Sequence, residues 1–472
     1  MKIGIIVEGS YPYVSGGVAS WTHTIINQMP EHEFEIIAIT PRQLGAEAYR
    51  YDVPDNVTGI TNLPLNMHRD VTKKKPSLTK EEEQVLLDWL LFRTTDSRAL
   101  HLFANKSGSS DCFFSSKLFW NIVQRSYEEE EQTGSFINYF WMWRGMYAPV
   151  MELLQYPFPK VDIVHTASTG YAGLVGAAMK DQQHIPYIVT EHGIYSRERE
   201  EEILQAKWIP DYYKHRWVQF YHHLSRQAYQ QADDVITLFE RNSHLQHELG
   251  APSEKLSIIP NGIHYDRLSQ LEKEEVSPLL RIGAIVRVVP IKDIKTMINA
   301  AKIMAEAHLP FEMIIMGPLD EEKEYADECQ QLVKQYRLEE YVFFVGKVNI
   351  MEYLPRFDLC LLTSISEGQP LAVLEGMAAG IPWVTTDVGS CHELLNGASD
   401  DRYGPAGFVV PPVHPSKIAE ACQWFFDHPN EMIKFGENGQ KRVQTYYQVQ
   451  QFISQYRNLY ERREMQYGGH RI

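Results

Sequence analysis

Two carboxylates eight positions apart, Glu367 and Glu375, bracket the stretch E-G-Q-P-L-A-V-L-E. The apolar run Leu359–Leu362 stands just before them, and Gly368, Gln369 and Pro370 read as a turn that opens a helix at Leu371. A helix start carries unpaired N–H groups and the positive end of the macrodipole, which suits a phosphate or a developing anion. An acid on each side can accept hydrogen bonds from sugar hydroxyls. The combination suggests a nucleotide-sugar site; the plain alternative is a loop charge followed by a surface glutamate. A second group follows the apolar run Arg281–Val286, where Arg287 and Lys292 flank a proline in R-V-V-P-I-K-D. In an otherwise acidic chain, two cations at a strand end can neutralise a diphosphate leaving group in place of a metal. The alternative there is a salt-bridging pair.

Other strand ends carry weaker signals. After the first apolar run comes E-G-S-Y-P-Y-V-S-G-G-V-A-S-W, in which Gly16 and Gly17 open a helix and let backbone approach a ligand. The run Tyr187–Thr190 leads into E-H-G-I-Y-S-R-E-R-E, which sets His192 at a strand end, either against a ligand or as a structural histidine. Arg197–Glu202 reads as a solvated helix start. His215, His222 and His223 match no metal-ligand spacing and read as helix surface. The turns M-G-P at Met316–Pro318 and V-G-K at Val345–Lys347 leave backbone groups free for the floor and rim of a nucleobase pocket. The chain has no G-x-G-x-x-G, no G-x-x-x-x-G-K-[ST] and no D-x-D string. Absence of the first weighs against a Rossmann oxidoreductase.

The elements that must position these residues alternate as short strands and amphipathic helices, the pattern of a parallel α/β sheet. Strands are expected at Ile3–Val7, Phe34–Ile39, Ile163–His165, Tyr187–Thr190, Val235–Leu238 and Leu256–Ile259. A second series falls at Arg281–Val286, Phe311–Met316, Tyr341–Val345, Leu359–Leu362, Pro382–Thr385 and Gly407–Val410. Between the second and third strands the alternation breaks. Residues 43–158 hold charge runs at Lys73–Lys75 and Glu81–Glu83 and crowded aromatics at Phe136–Tyr147, including Trp141 and Trp143. So long a loop is implausible without structure of its own, so a mostly helical insertion is expected, its aromatics chiefly packed. Two similar halves imply an N-terminal domain over 1–275, a C-terminal domain over 276–445 and a final helical segment over 446–472. A cleft between two Rossmann-like domains would then receive the strand ends.

Composition sets limits. A chain of 472 residues exceeds one ordinary core. Its 45 basic and 61 acidic side chains give a net charge of −16, which disfavours nucleic acid or an anionic membrane as a non-specific partner. Five scattered cysteines with no C-x-x-C pair fit a reducing, cytoplasmic compartment. The opening M-K-I-G-I-I-V-E looks like a first strand rather than a signal peptide, and no run approaches the ~20 apolar residues of a membrane span.

The order of Gly16-Gly17, T-E-H at Thr190–His192, N-G-I at Asn261–Ile263, Arg287–Lys292 and E-G-Q-P-L-A-V-L-E-G-M-A-A-G-I-P at Glu367–Pro382 resembles the retaining GT-B glycosyltransferases. The spacing of Glu367 and Glu375 matches the E-x7-E signature of the glycogen synthase- and sucrose synthase-like family. The opening motif, the E-H-G-I-Y-S-R-E-R-E run and the long insertion look closer still to its PelF subgroup, the cytosolic transferases of Pel exopolysaccharide synthesis. The resemblance implies a donor diphosphate on Arg287 and Lys292, ribose hydroxyls on Glu375 and the donor sugar on Glu367. Backbone N–H groups from Gly368 to Leu371 would assist. It further implies His192 on the transferred sugar, Gly16 and Gly17 against the diphosphate, and the base beside Met316–Pro318 and Gly346–Val348. A UDP-sugar donor, a polysaccharide acceptor, no metal and membrane subunits of a synthase complex as partners come with it. The base is implied by resemblance alone. Two other readings share these residues: a catalytically silent nucleotide-binding scaffold and a GT-B-fold nucleotide-sugar epimerase.

Overall fold

The computed structural model describes residues 1–65, 74–129, 134–274 and 277–468. Lys73, and Glu275 and Val276 where the two domains were expected to join, lie outside them. The chain divides into two compact units. The N-terminal unit comprises Met1–Thr237, Asn242–Ile258 and the segment from Tyr456 onward; the C-terminal unit comprises Leu238–Arg241 and Ile259–Gln455. Each is an α/β unit around one parallel sheet.

The N-terminal sheet contains β1 (Lys2–Glu8), β2 (Glu33–Thr40), β3 (Val57–Pro64), β4 (Ile163–Thr166), β5 (Tyr187–Glu191), β6 (Asp234–Thr237) and β7 (Leu256–Ile258). Their order is β3-β2-β1-β4-β5-β6-β7. Central strands read as near-continuous apolar runs because helices cover both faces: Ile3, Ile5, Ile6 and Val7 of β1 are wholly buried. β3 is a strand that was not expected within the mostly helical span 43–158. Its sequence V-T-G-I-T-N-L-P is polar and only its last two residues are buried, so an edge strand left little hydrophobic signal. The remainder of that span forms the helices Lys80–Leu90, Arg98–Asn105, Ser110–Phe114, Lys117–Glu129 and Phe136–Leu154. Trp89, Tyr139, Trp143 and Tyr147 from them are fully buried in one cluster with Ile6, Ile37 and Val164 of the sheet, whereas Trp141 is exposed.

The C-terminal sheet contains β8 (Leu280–Ile285), β9 (Phe311–Met316), β10 (Val342–Gly346), β11 (Leu359–Leu362), β12 (Trp383–Thr386) and β13 (Gly407–Val410). The order β10-β9-β8-β11-β12-β13 is doubly wound, with its topological switch between β8 and β11. Ligands of such sheets bind beyond the carboxyl ends of the strands that flank the switch. No helix among the described residues is long and apolar enough to cross a membrane.

Candidate functional site

The two strands at the C-terminal unit's switch point deliver Lys292 and Glu367. After β8 the chain makes a short turn, and Asp293, in the left-handed region at φ 46°, caps the helix Ile294–Glu306 by accepting from Thr296 N–H at 3.3 Å. Lys292 therefore stands just before a helix start. Thr363, beyond β11, fixes that turn by donating its hydroxyl to the carbonyls of Lys292 and Asp293, each at 3.0 Å. The Lys292 ammonium donates to Glu367 Oε1, and Ser364 Oγ donates to the same oxygen at 2.5 Å. Both partners are largely buried.

The turn that carries Glu367 is pinned from two sides. Ser390 N–H donates to the Gly368 carbonyl at 2.9 Å. Gly389, at φ +51°, has room for no side chain, since a Cβ there would lie 2.3 Å from the carbonyl oxygens of Glu367 and Gly368. Gln369, buried, accepts from Asn261 N–H at 2.6 Å. The helix Leu371–Ala378 follows with no acidic residue in its first turn, so its free N–H groups and dipole remain available to an anion. Glu375 lies on this helix between the buried Leu374 and Gly376, and burial pushes its carboxyl up to about 7.

Arg287 follows β8 as well, but its guanidinium is half-exposed and donates to Glu321 at 2.9 Å rather than joining Lys292. The cations at this strand end are thus separate ion pairs. The two candidate base-side turns do meet: Gly317 N–H donates to the Gly346 carbonyl at 2.9 Å, and Val286 N–H and Val288 N–H reach the Met316 and Pro318 carbonyls. Gly317 is required by that approach, because a Cβ would sit 1.8 Å from the Val286 carbonyl oxygen. Lys347 and Val348 follow directly on β10.

In the N-terminal unit, Gly16 and Gly17 start the helix Gly17–Gln28 facing open space, with nothing within 4 Å of an added Cβ. His192 follows β5, its ring edge-on to Trp21 at 5.0 Å, with Nε2 buried and without a hydrogen-bond partner. Burial lowers its pKa to about 4, so it is neutral at pH 7.

Sequence reasoning missed the neighbouring carboxylates. Glu191 is buried and fully satisfied: Thr169 Oγ1 and Tyr195 N–H donate to Oε1 at 3.0 Å, Tyr229 hydroxyl and Gln246 to Oε2 at 2.6 and 3.0 Å. Burial raises its pKa against those bonds. Arg199, expected on a solvated helix start, instead donates to Glu8 at 3.1 Å, and Tyr195 hydroxyl reaches the same oxygen at 2.9 Å. Nor do the three histidines all lie on a helix surface: His223 is 3% exposed. No periodicity identifies what stands opposite a helix, which is why these partners were not visible. Among the described residues no group of His, Cys, Asp and Glu is disposed to hold a metal ion.

Residues 1–254 match the family described as a domain of unknown function, DUF3492, and residues 272–442 match glycosyl transferases group 1. The N-acetyl-alpha-D-glucosaminyl L-malate synthase of Bacillus anthracis is 27% identical over 248 residues, 50% of this chain and 61% of that protein, so the chain spans less than two thirds of that relative. Among solved structures, Anabaena HepE in complex with UDP and glucose aligns with a TM-score of 0.57 at 16% identity, covering 97% of this chain and 99% of that one. The sucrose-phosphate synthase of Thermosynechococcus elongatus aligns at 0.61 with 15% identity, covering 97% and 98%. The shared architecture is the GT-B fold of two Rossmann-like domains.

Proposed function

Because the chain belongs to the DUF3492 family and carries a group 1 glycosyl transferase domain, we propose that it is a retaining, metal-independent hexosyltransferase using a UDP-sugar. The observation that carries the reading is the ion pair of Lys292 and Glu367 across the switch point of the C-terminal sheet, next to a helix start free of acidic residues.

In this reading the bond from the anomeric carbon to the phosphate oxygen breaks, leaving positive charge on the sugar and negative charge on UDP. Lys292 and the N–H groups of the Leu371–Ala378 helix meet the diphosphate, and Arg287 joins them by leaving Glu321. Glu367 holds Lys292 and accepts from the donor sugar's hydroxyls. Glu375 accepts from the ribose hydroxyls, and the turns at Met316–Pro318 and Gly346–Val348 border the base. The acceptor hydroxyl attacks from the face the leaving group departs, and its proton passes to the leaving phosphate oxygen. Glu367, engaged by an ammonium and a hydroxyl, is a positioning group and not a glycosidase-type nucleophile. His192, neutral, serves as a hydrogen-bond partner to a sugar hydroxyl rather than as a cation.

The finer assignment is to the E-x7-E family and its PelF subgroup, with UDP-glucose or a UDP-N-acetylhexosamine as donor, Pel-type biofilm exopolysaccharide as product and synthase membrane subunits as partners. It is supported by the E-G-S-Y-P-Y-V-S-G-G-V-A-S-W opening and the E-H-G-I-Y-S-R-E-R-E run. The test is release of UDP from UDP-glucose and UDP-N-acetylglucosamine in excess EDTA, with product anomers assigned by NMR. Turnover above the Lys292→Ala background supports the proposal. Turnover lost in EDTA and restored by manganese, or an inverted product, overturns it.

A further inference from the structure

On the reading that His192 contacts the transferred sugar, we propose that Trp21 is its positioning residue. The indole holds the proton of the His192 ring on Nε2, so that Nδ1 meets a sugar hydroxyl as a hydrogen-bond acceptor and never as a donor.

Both residues belong to the N-terminal unit. Trp21 stands one turn into the helix Gly17–Gln28 and is buried, whereas His192, just beyond β5, is half-buried. Their rings lie 5.0 Å apart between centroids at an interplanar angle of 82°, the geometry of an edge-to-face pair. Nε2 is the His192 nitrogen that is buried without a hydrogen-bond partner, which leaves Nδ1 as the nitrogen open to a ligand.

The polar groups around this pair are engaged with one another. His165, its ring 5.4 Å from Trp21 at 87°, meets the Tyr460 hydroxyl through Nδ1 and Thr190 Oγ1 through Nε2, each at 2.7 Å. Thr190 also meets the Tyr456 hydroxyl at 3.0 Å, and the Tyr456 ring packs edge-on to the indole at 5.6 Å. Trp21 is thus held by three rings, those of His165, Tyr456 and His192. What the buried edge of His192 has beside it is the indole.

A neutral imidazole carries one proton, on one nitrogen or the other. The face of an aromatic ring is negative, so it attracts an N–H and repels a lone pair. With the Nε2 edge of His192 turned to the indole face, the proton belongs on Nε2 and Nδ1 keeps its lone pair. Burial, which lowers the His192 pKa to about 4, keeps a second proton off the ring at pH 7. A bare Nδ1 selects a group that donates: a hydroxyl satisfies it, and an ether or phosphate oxygen does not. So weak a base orients that hydroxyl without removing its proton.

The experiment is long-range proton–nitrogen NMR of the full chain carrying nitrogen-15 histidine, with His192 assigned from the spectrum of His192→Asn. The wild type is expected to show a protonated Nε2 and a bare Nδ1, unchanged from pH 6 to pH 8 and in Trp21→Phe, which keeps an aromatic face. Trp21→Leu is expected to mix the two tautomers. UDP-sugar turnover gives a second readout. Asparagine places its amide oxygen near the position of Nδ1, and glutamine places its polar end near that of Nε2. His192→Asn should therefore keep about tenfold more kcat/KM than His192→Gln, the scale of one hydrogen bond. Trp21→Leu should lower kcat/KM while the Kd for UDP, which lacks the transferred sugar, stays the same. A protonated Nδ1 in the wild type, a Trp21→Leu spectrum like that of the wild type, or equal kcat/KM for His192→Asn and His192→Gln would overturn the proposal. The tautomer is read in the free protein, so a wild type that turns over no UDP-sugar is a separate result, one that overturns the hexosyltransferase reading.

Discussion

The Lys292 ammonium donates to the Glu367 carboxylate, and the pair ties together the loops that leave β8 and β11, the strands on either side of the sheet's switch point. Each residue depends on the other: without Lys292, Glu367 keeps only Ser364, and without Glu367 the ammonium is buried unpaired. Lys292→Ala and Glu367→Ala are each expected to lower kcat/KM for a UDP-sugar about a hundredfold or more, a loss of about 3 kcal/mol of transition-state stabilisation. The double variant should be little worse than either single one. Additive losses in that cycle would show that the two act independently.

Arg287 makes a different prediction because it is exposed and engaged elsewhere. Its ion pair with Glu321 is a surface pair, worth about 0–1 kcal/mol. Glu321→Ala is therefore expected to leave Tm nearly unchanged while UDP binds equally well or more tightly, the guanidinium being released. Arg287→Ala should weaken binding of UDP more than that of uridine. Equal loss for both ligands, read by calorimetry, would remove Arg287 from the diphosphate.

What the sequence revealed follows from what hydrophobic patterning measures. β1, β8 and β11 were visible because both faces of these strands are buried, and the turn glycines near Glu367 because they interrupt such runs. β3 escaped because an edge strand of threonine, glycine and asparagine buries little. Arg287 and Lys292 were read as one cationic pair from their spacing, yet side-chain direction separates them, one toward Glu321 and one toward Glu367. His223 looked like its exposed neighbour His215 because a helix face is legible only when its neighbour in space is known. Glu191 stood inside the T-E-H motif, but three of its four donors, Thr169, Tyr229 and Gln246, come from segments 22 to 55 residues away.

The buried network around His165 gives a stability prediction. Its Nδ1 meets Tyr460 hydroxyl at 2.7 Å and its Nε2 meets Thr190 Oγ1 at 2.7 Å, while Thr190 also meets Tyr456 hydroxyl at 3.0 Å. Tyr460→Phe keeps the ring and strands one imidazole nitrogen in a dry site. A loss of about 1–3 kcal/mol is expected in denaturant unfolding. Tyr460→Phe with unchanged stability would mean that another group satisfies His165.

Glu375 predicts a pH dependence for the free protein. Burial raises its pKa to about 7, above the ordinary carboxylate range of an unfolded chain near 4.3. Between those values the folded protein holds a proton that the unfolded chain has lost, so this group's contribution to stability falls as pH rises from about 4.5 to about 7 and is level beyond. Glu375→Gln, which stays neutral, is expected to remove that slope, so the wild type minus variant difference in Tm should shift against the wild type over this window. Ribose hydroxyls donate best to the ionised carboxylate, so UDP binding by the wild type should strengthen from pH 6 to pH 8 relative to the variant. Parallel pH profiles for UDP binding in the two proteins would take Glu375 away from the ribose, and parallel Tm profiles would show that its carboxyl titrates normally.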